Sequence, residues 1–396
     1  MKKLLNLEYS LVQGTYWMYY GIACSFASVF LLDKDYSNSQ IGAIFAFGSV
    51  LSVLIQPALA NFTDHSKKFS LINVIEGLVI AMLILNTGLL LLNKQSLVLT
   101  IVYVFVIALI TSGQPFINSL NFYLQRADCH INFGVARSMG SLLYSLMMAA
   151  LGSIVLHYGV MSIPVSGQIV LTLMLVFIVA THIRFRKEKD KLLVIEEQEE
   201  HIKPIALDEF INRNKYFFIM SFGIIGLYFG NAVLNIFMMQ IVDNVNGNSA
   251  DMGRILSLMA ALEIPTMVLF EKIHKKFTYT TLIIVASFGF TIKVALCYLA
   301  TSVFLIFIAQ FTQLFAFALF LPAMVHFIDD VMDKREAVRG QALFIVMTTI
   351  GSVLSSIFGG MILDVGGATT LLLVATIFSI IGTLIITIYI NKITAN

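Results

Sequence analysis

Between Arg184 and Asn214 the chain reads RFRKEKDKLLVIEEQEEHIKPIALDEFINRN, in which 15 of 31 residues are charged. Long apolar runs lie on both sides of this stretch. Six precede it (9–32, 39–60, 69–93, 96–124, 133–158 and 162–183) and six follow it (215–242, 250–273, 278–302, 303–329, 337–363 and 367–391). A helix needs roughly 20 apolar residues to cross a bilayer. In hydrocarbon, every backbone polar group must be satisfied within its own segment or in a closed barrel. The runs lack the ten-residue alternation of barrel strands, so they predict helices. The sequence therefore predicts an all-α polytopic membrane protein with twelve transmembrane helices in two six-helix bundles, residues 1–183 and 215–396. Residues 184–214 form a charged, water-exposed linker between them.

The composition agrees. Of 396 residues, 58% are hydrophobic and 12% are charged, with a mean hydropathy of +0.89; a soluble domain carries about 25% charged residues. The net charge of +2 is too balanced for a nucleic-acid partner. Cys24, Cys129 and Cys297 are too far apart for a disulfide framework or a metal site. The opening MKKLLNLEYSLVQGTYWMYY is basic and apolar but has no small-residue cleavage site before the run ends at Leu32, so it is read as the first permanent span.

The distribution of charge orients the chain. With alternating loops and both termini on one side, that side carries 21 of the 25 Lys and Arg. The opposite loops hold Lys34, Lys94 and Arg254, and Lys293 lies inside a span. By the positive-inside rule the termini and linker are cytoplasmic, which implies a multi-pass protein of the plasma or inner membrane. An internal repeat supports the two halves: Pro57 followed by Lys67-Lys68-Phe69 returns as Pro265 followed by Lys275-Lys276-Phe277, an offset of 208 residues. Both copies fall at the cytoplasmic end of the second helix of their half, as expected for parallel repeats.

Ionisable groups at membrane depth are costly and normally face a bundle interior or a cavity. Glu76, Glu263 and Lys293 are the clear cases, with Arg137 near the cytoplasmic end of the fifth helix. Glu263 and Lys293 read as a charge pair that exchanges partners during transport; the alternative is a permanent pair that orders two helices. Glu263 is the first candidate for coupling to a proton, since a carboxylate in low dielectric loads and releases one readily, and Glu76 is the second. In the fourth helix Gln114, Asn118, Asn121 and Gln125 recur at steps of four, three and four, which puts four amides on one face. Tyr228, Asn231 and Asn235 do the same in the seventh helix, Gln310 and Gln313 in the tenth, and Arg137, Ser141 and Tyr144 in the fifth. Fixed donors and acceptors beside rings suit a hydroxyl-rich or carboxylate-bearing solute; the alternative is interhelical hydrogen bonding. The substrate-binding set is read as Asn118, Asn121, Arg137, Tyr144, Asn231, Asn235 and Gln313. The histidines are scattered singly, and His65, His130, His182, His201 and His274 sit at cytoplasmic edges; His326, with Asp329 and Asp330, reads as a solvated helix end. No metal site, cofactor site or catalytic motif is recognised, so an enzyme is not expected.

These residues resemble the major facilitator superfamily and, within it, the oligosaccharide/proton symporter branch that includes lactose permease. The resemblance covers nearly the whole chain. It is carried by SQIGAIFA from Ser39 to Ala46, by Gln56-Pro57 followed by Asp64 and Lys67-Lys68, by FGVARSMG from Phe133 to Gly140, by Glu263, and by Lys293 ahead of Ala300-Thr301-Ser302. It implies two halves rocking by alternating access, a sugar contact at Arg137, and a conformational latch at Asp64, Lys67 and Lys68. The chain departs from the branch at Ala60 and Ser66 in the loop motif, and at Ser119, where a sugar-binding carboxylate would stand. It departs again at Gln313 and Ala316, where a histidine and a proton-carrying glutamate would stand. The Gly-Pro pair of drug antiporters is missing from GSLLYSLMMAALGSIV. The expected activity is proton-coupled uptake of a sugar, nucleoside or small organic acid across a lipid bilayer. The alternatives are an uncoupled facilitator, an efflux transporter or a transport-dead sensor. One chain contains both halves, so a monomer would suffice.

Overall fold

The structure is a computed structural model that describes residues 2–66, 69–125, 133–189 and 205–393. Every regular element among them is helical. We number the spans α1 (2–32), α2 (Asn38–His65), α3 (Leu71–Leu91), α4 (Leu97–Gln125), α5 (Phe133–Tyr158), α6 (Ser162–Lys189), α7 (215–243), α8 (Ser249–His274), α9 (Tyr279–Leu299), α10 (303–331), α11 (334–366) and α12 (367–393). Starts are set by local chemistry. Before α2, Ser37 Oγ accepts from the Gln40 backbone N–H while the Gln40 side chain accepts from the Ser37 N–H, and Ser70 with Asn73 repeats this before α3. Such reciprocal caps satisfy the donors that a helix start leaves open.

The last two spans run on from Lys334 to Ile393, a length of about 90 Å if straight, several times what one crossing uses. Gly367, at φ 70° and ψ −179°, turns the chain back. This is backbone that essentially only glycine adopts. Both arms then reach α7: a β-carbon on Gly226 would stand 2.4 Å from Phe378 O, and one on Gly351 would stand 2.7 Å from Ile225 O. The turn between α5 and α6 also uses a left-handed glycine, Gly159, at φ 82°. Gly159 and Gly367 are 208 residues apart, the offset already seen between Pro57 and Pro265. The first hairpins match too. α1 leaves α-helical geometry at Phe26 and α7 at Phe237, and the turns that follow carry Asp35 (φ 64°) and Asn246 (φ 60°), each pair 211 residues apart. The repeat read in the letters is therefore present in the backbone.

The described residues fall in two compact units: residues 1–197 with Ser249–Ala260, and residues 198–248 with 261–396. Two expected boundaries change. The first half of α8 belongs with the first unit because small residues bring its backbone onto α5. A β-carbon on Gly152 would stand 2.4 Å from Ser249 O, and Ser145 Oγ and Ser249 Oγ donate to Ser257 O and Gly152 O. The linker expected over 184–214 is shorter. α6 continues to Lys189, with the Phe185 ring tilted against Tyr123 at a centroid distance of 4.9 Å. Arg184 Nε donates to both Glu8 oxygens of α1, at 2.9 and 3.1 Å. On the far side a short helix, Leu207–Arg213, buries Phe210 in the core of the second unit, and Arg339 of α11 donates to Ile205 O. Residues 190–204, like Lys67, Lys68, Cys129, His130 and His201, lie outside the described residues.

Phe47, Leu54, Ile84, Leu91 and Phe304 are among many exposed large apolar side chains, as a surface bathed in lipid requires. Gly226→Val should lower the melting temperature of the purified protein, because overpacking against backbone costs about 1–3 kcal/mol. Gly77→Ala, at a position with nothing within 4 Å of the added carbon, should leave it unchanged or raise it. A thermal unfolding assay in detergent checks both; equal shifts would contradict the close α7–α12 packing.

Candidate functional site

Two polar clusters stand out, one in each unit. In the second, α10 is broken. It is α-helical over Val303–Ala309, tightens to a 3₁₀ turn over Gln310–Leu314, and resumes at Phe317 after Ala316 takes φ −96°, ψ −112°. Gly289 of α9 leaves room for the break, since a β-carbon there would stand 2.8 Å from Phe315 O. Thr266 of α8 donates to the Leu314 carbonyl at 3.0 Å. A backbone group exposed by a broken membrane helix needs such a substitute partner.

The break presents Gln313 to two charged residues. Lys293 Nζ of α9 donates to Gln313 Oε1 at 2.7 Å, and Gln313 Nε2 donates to Glu263 Oε1 of α8 at 2.8 Å. Lys293 and Gln313 are each 1% exposed, and Glu263 is half-buried. The charge pair expected from sequence is thus linked through an amide, and the departure noted at Gln313 is the residue that makes the link. An amide can do this because it offers an acceptor to the ammonium and a donor to the carboxylate. The arrangement can respond to a proton: discharging Glu263 turns a charge-assisted hydrogen bond into a weaker neutral one.

The other expected residues of this unit are arranged differently from the sequence reading. Tyr228 lies among the rings of Phe290, Phe317, Phe320 and Phe344, at centroid distances of 6.0–6.5 Å, and so belongs to the aromatic core rather than to a polar stripe. Asn231 and Asn235 are half-buried, and Asn235 Nδ2 donates to Asn231 O at 2.8 Å just before α7 breaks at Phe237. Gln310, fully buried, donates to Ile306 O.

In the first unit, α1, α4 and α5 supply the cluster. Arg137 of α5 lies over the Trp17 ring of α1 at 4.1 Å and donates to Ser141 Oγ at 3.1 Å. Gln13 Nε2 donates to Tyr9 Oη at 2.9 Å and to Asn118 Oδ1 of α4 at 3.1 Å. Asn121 is buried one turn on, and Tyr144 Oη meets Ser25 Oγ at 2.8 Å beside the π-helical turn Gly21–Ser25. The structure therefore joins Asn118 to Gln13 and Arg137 to Trp17, with Asn121 one turn along α4 and Tyr144 two turns along α5. Sequence reading missed both Gln13 and Trp17 because LVQGTYWMYY reads as the apolar filling of a first span; the signal was the chain's one tryptophan, four residues after a glutamine.

Glu76 accepts from His182 Nδ1 across α3 and α6 at 2.8 Å, so His182 is engaged there rather than explained by solvation. His274 stacks on Tyr279 at 3.8 Å, and His326, though exposed, packs beside Phe270 and Tyr279 at 5.9 and 5.6 Å, so both are more than solvated helix ends. Asp64 is exposed on the last turn of α2. Among the described residues no cluster of His, Cys, Asp or Glu could hold a metal ion.

The family model described as "MFS_1 like family" matches residues 9–374. The chain belongs to this family. It is accordingly a multi-pass membrane transporter of small solutes rather than an enzyme. Solved structures similar to it over nearly their full length share its fold. The nucleoside transporter NupG is 15% identical, with 98% of each chain covered and a TM-score of 0.76, and a mutant form of NupG is 16% identical, with 98% of this chain and 99% of that chain covered and a TM-score of 0.77. A bacterial homologue of the human lysosomal transporter Spinster, in an inward-facing and unoccupied conformation, is 14% identical, with 100% of this chain and 98% of that chain covered and a TM-score of 0.73. No curated protein matches the chain at the sequence level.

Gln313→Leu should strand the buried Lys293 and lower thermal stability by about 2 kcal/mol, the usual cost when a charged group loses a hydrogen-bond partner. Adding Lys293→Met should recover part of that loss, because the uncompensated charge is removed. Additive losses in the double variant, measured by thermal unfolding, would contradict the link.

Proposed function

We propose that the chain imports a small hydrophilic solute, of the sugar, nucleoside or small organic acid kind, by alternating access coupled to proton entry. The observation that supports coupling most directly is the buried chain Lys293–Gln313–Glu263 at the break of α10. A proton binds a carboxylate oxygen of Glu263. Gln313 then faces a neutral acid on one side and the Lys293 ammonium on the other, and the balance of pulls on the 3₁₀ segment shifts toward α9. A ligand changes a conformational equilibrium only by its differential interaction with the two states. Protonation supplies that difference at the least regular point of the helix.

Nucleosides, already in the solute class read from the sequence, are compatible with the fold shared with the nucleoside transporter NupG. We read Arg137, Asn118, Asn121 and Tyr144 as solute contacts in the first unit, and Gln313, Asn231 and Asn235 as contacts in the second. Glu76, engaged by His182, is read as a structural contact between α3 and α6. Asp64 with Lys67 and Lys68 is read as a cytoplasmic latch, consistent with the 21 of 25 basic residues assigned to that side. On this reading both termini are cytoplasmic, the membrane is the plasma or inner membrane, and one chain, which holds both halves, acts as a monomer.

In proteoliposomes Glu263→Gln should abolish uphill accumulation driven by a proton gradient while leaving solute exchange largely intact. Retained accumulation would remove Glu263 from the coupling step, and loss of exchange as well would make it a binding residue instead. Asp64→Asn should slow turnover severalfold with little change in solute affinity, as stopped-flow uptake and equilibrium binding would report. Normal turnover would reduce the loop to a positive-inside anchor.

A further inference from the structure

We propose that α1 supplies two recognition residues of the solute site in the first unit: Gln13, which contacts the solute, and Trp17, which positions Arg137. The proposal rests on the transporter reading above and names what that site selects. Gln13 is completely buried, and both of its N–H groups are spent on Tyr9 and Asn118. Its Oε1 is buried without a partner. Two more buried atoms without partners lie on the same two helices: Trp17 Nε1, one turn along α1 and facing Gly140 of α5, and Oδ1 of Asn121, which is 2% exposed and one turn along α4 from Asn118.

Gln310 Oε1 is likewise buried without a partner, but a deeply buried amide need not be left so. Asn86 is as deeply buried, at 1%, and its Nδ2 reaches both Pro164 O and Gln168 Oε1 across to α6. Buried polar groups in native proteins are nearly always hydrogen-bonded. Gln13 Oε1 and Asn121 Oδ1, open on two helices that the Gln13–Asn118 hydrogen bond joins, therefore mark a place where something polar is received.

The open atoms also state what it must be. Gln13 Oε1 and Asn121 Oδ1 only accept, so the solute must donate to them. An ionised carboxylate is acceptor-only and cannot. A pair of neighbouring hydroxyls can do so, and it can accept in return from the Arg137 guanidinium. Arg137 is held for this by the Trp17 face beneath it and by Ser141. Gly140 leaves the space, since a β-carbon there would stand 2.6 Å from Trp17 Cδ1. Cation–π stacking fixes a planar guanidinium without neutralising it. The site so built prefers a vicinal diol, carried by a hexose or by a ribosyl group, over an organic acid.

The test is equilibrium binding to the purified full-length protein in detergent, with a panel of hexoses, pentoses and nucleosides, dideoxy analogues of whichever of these bind, and succinate. Hexose or uridine as the bound probe tells which kind of molecule carries the diol. At least one diol probe should bind about tenfold or more tighter than its dideoxy analogue and than succinate. Gln13→Met, which keeps length but removes the carbonyl, should weaken the diol probe about tenfold and collapse its advantage over the dideoxy analogue to less than threefold. Trp17→Phe, which keeps a ring under Arg137, should be milder than Trp17→Leu. Should Gln13→Met fold poorly, as its melting curve would show, Gln13→Asn is expected to cause the same loss of preference. An unchanged diol preference in these Gln13 variants, or succinate binding as tightly as the diol, would overturn the α1 assignment while leaving the transporter reading intact. Absence of binding by every probe to the unmodified protein would overturn both.

Discussion

Everything in this molecule follows from the demand of hydrocarbon that each backbone N–H and C=O find a partner inside the protein. The demand makes the chain helical and makes any break in a helix conspicuous. Breaks occur in α1 at Gly21–Ser25, in α7 at Phe237 and in α10 at Gln310–Ala316. Each is attended by polar side chains: Ser25 with Tyr144 at the first, Asn235 at the second, Gln313 and Thr266 at the third. Where the backbone leaves regular geometry, polar side chains gather.

The two polar clusters divide the chemistry. The first unit offers amides, an indole and a guanidinium placed over a ring, which on our proposal suits a neutral donor-rich molecule. The second offers a carboxylate and an ammonium joined by an amide on a discontinuous helix, which favours response to a proton. The first and last hairpins of each half repeat in backbone geometry, down to left-handed glycines 208 residues apart at Gly159 and Gly367. The halves share a plan and differ in the side chains placed on it.

The spans and the repeat were legible in the sequence because both rest on signals carried along the chain, apolar run length and a recurring Pro and Lys-Lys-Phe. Long-range partnerships were not. Glu8 and Arg184 are 176 residues apart, and nothing in EYS or RFR announces that they meet. Gln313 was visible as a polar residue in a span, but its role as a link depends on partners 20 and 50 residues away. The α10 break has no proline or glycine of its own between Gln310 and Ala316; the glycine that permits it is Gly289, in another helix. His274 and His326 were judged by position near helix ends, and it is ring packing across α8, α9 and α10 that holds them.

The most direct test of the central claim is solute-driven proton movement in proteoliposomes that contain the purified protein and an entrapped pH indicator. Adding a transported sugar or nucleoside outside, with no imposed gradient, should acidify the lumen in step with solute uptake, and a protonophore should abolish the signal. Solute uptake at full rate with no lumenal acidification would contradict proton coupling, and the Lys293–Gln313–Glu263 chain would then be a structural link alone.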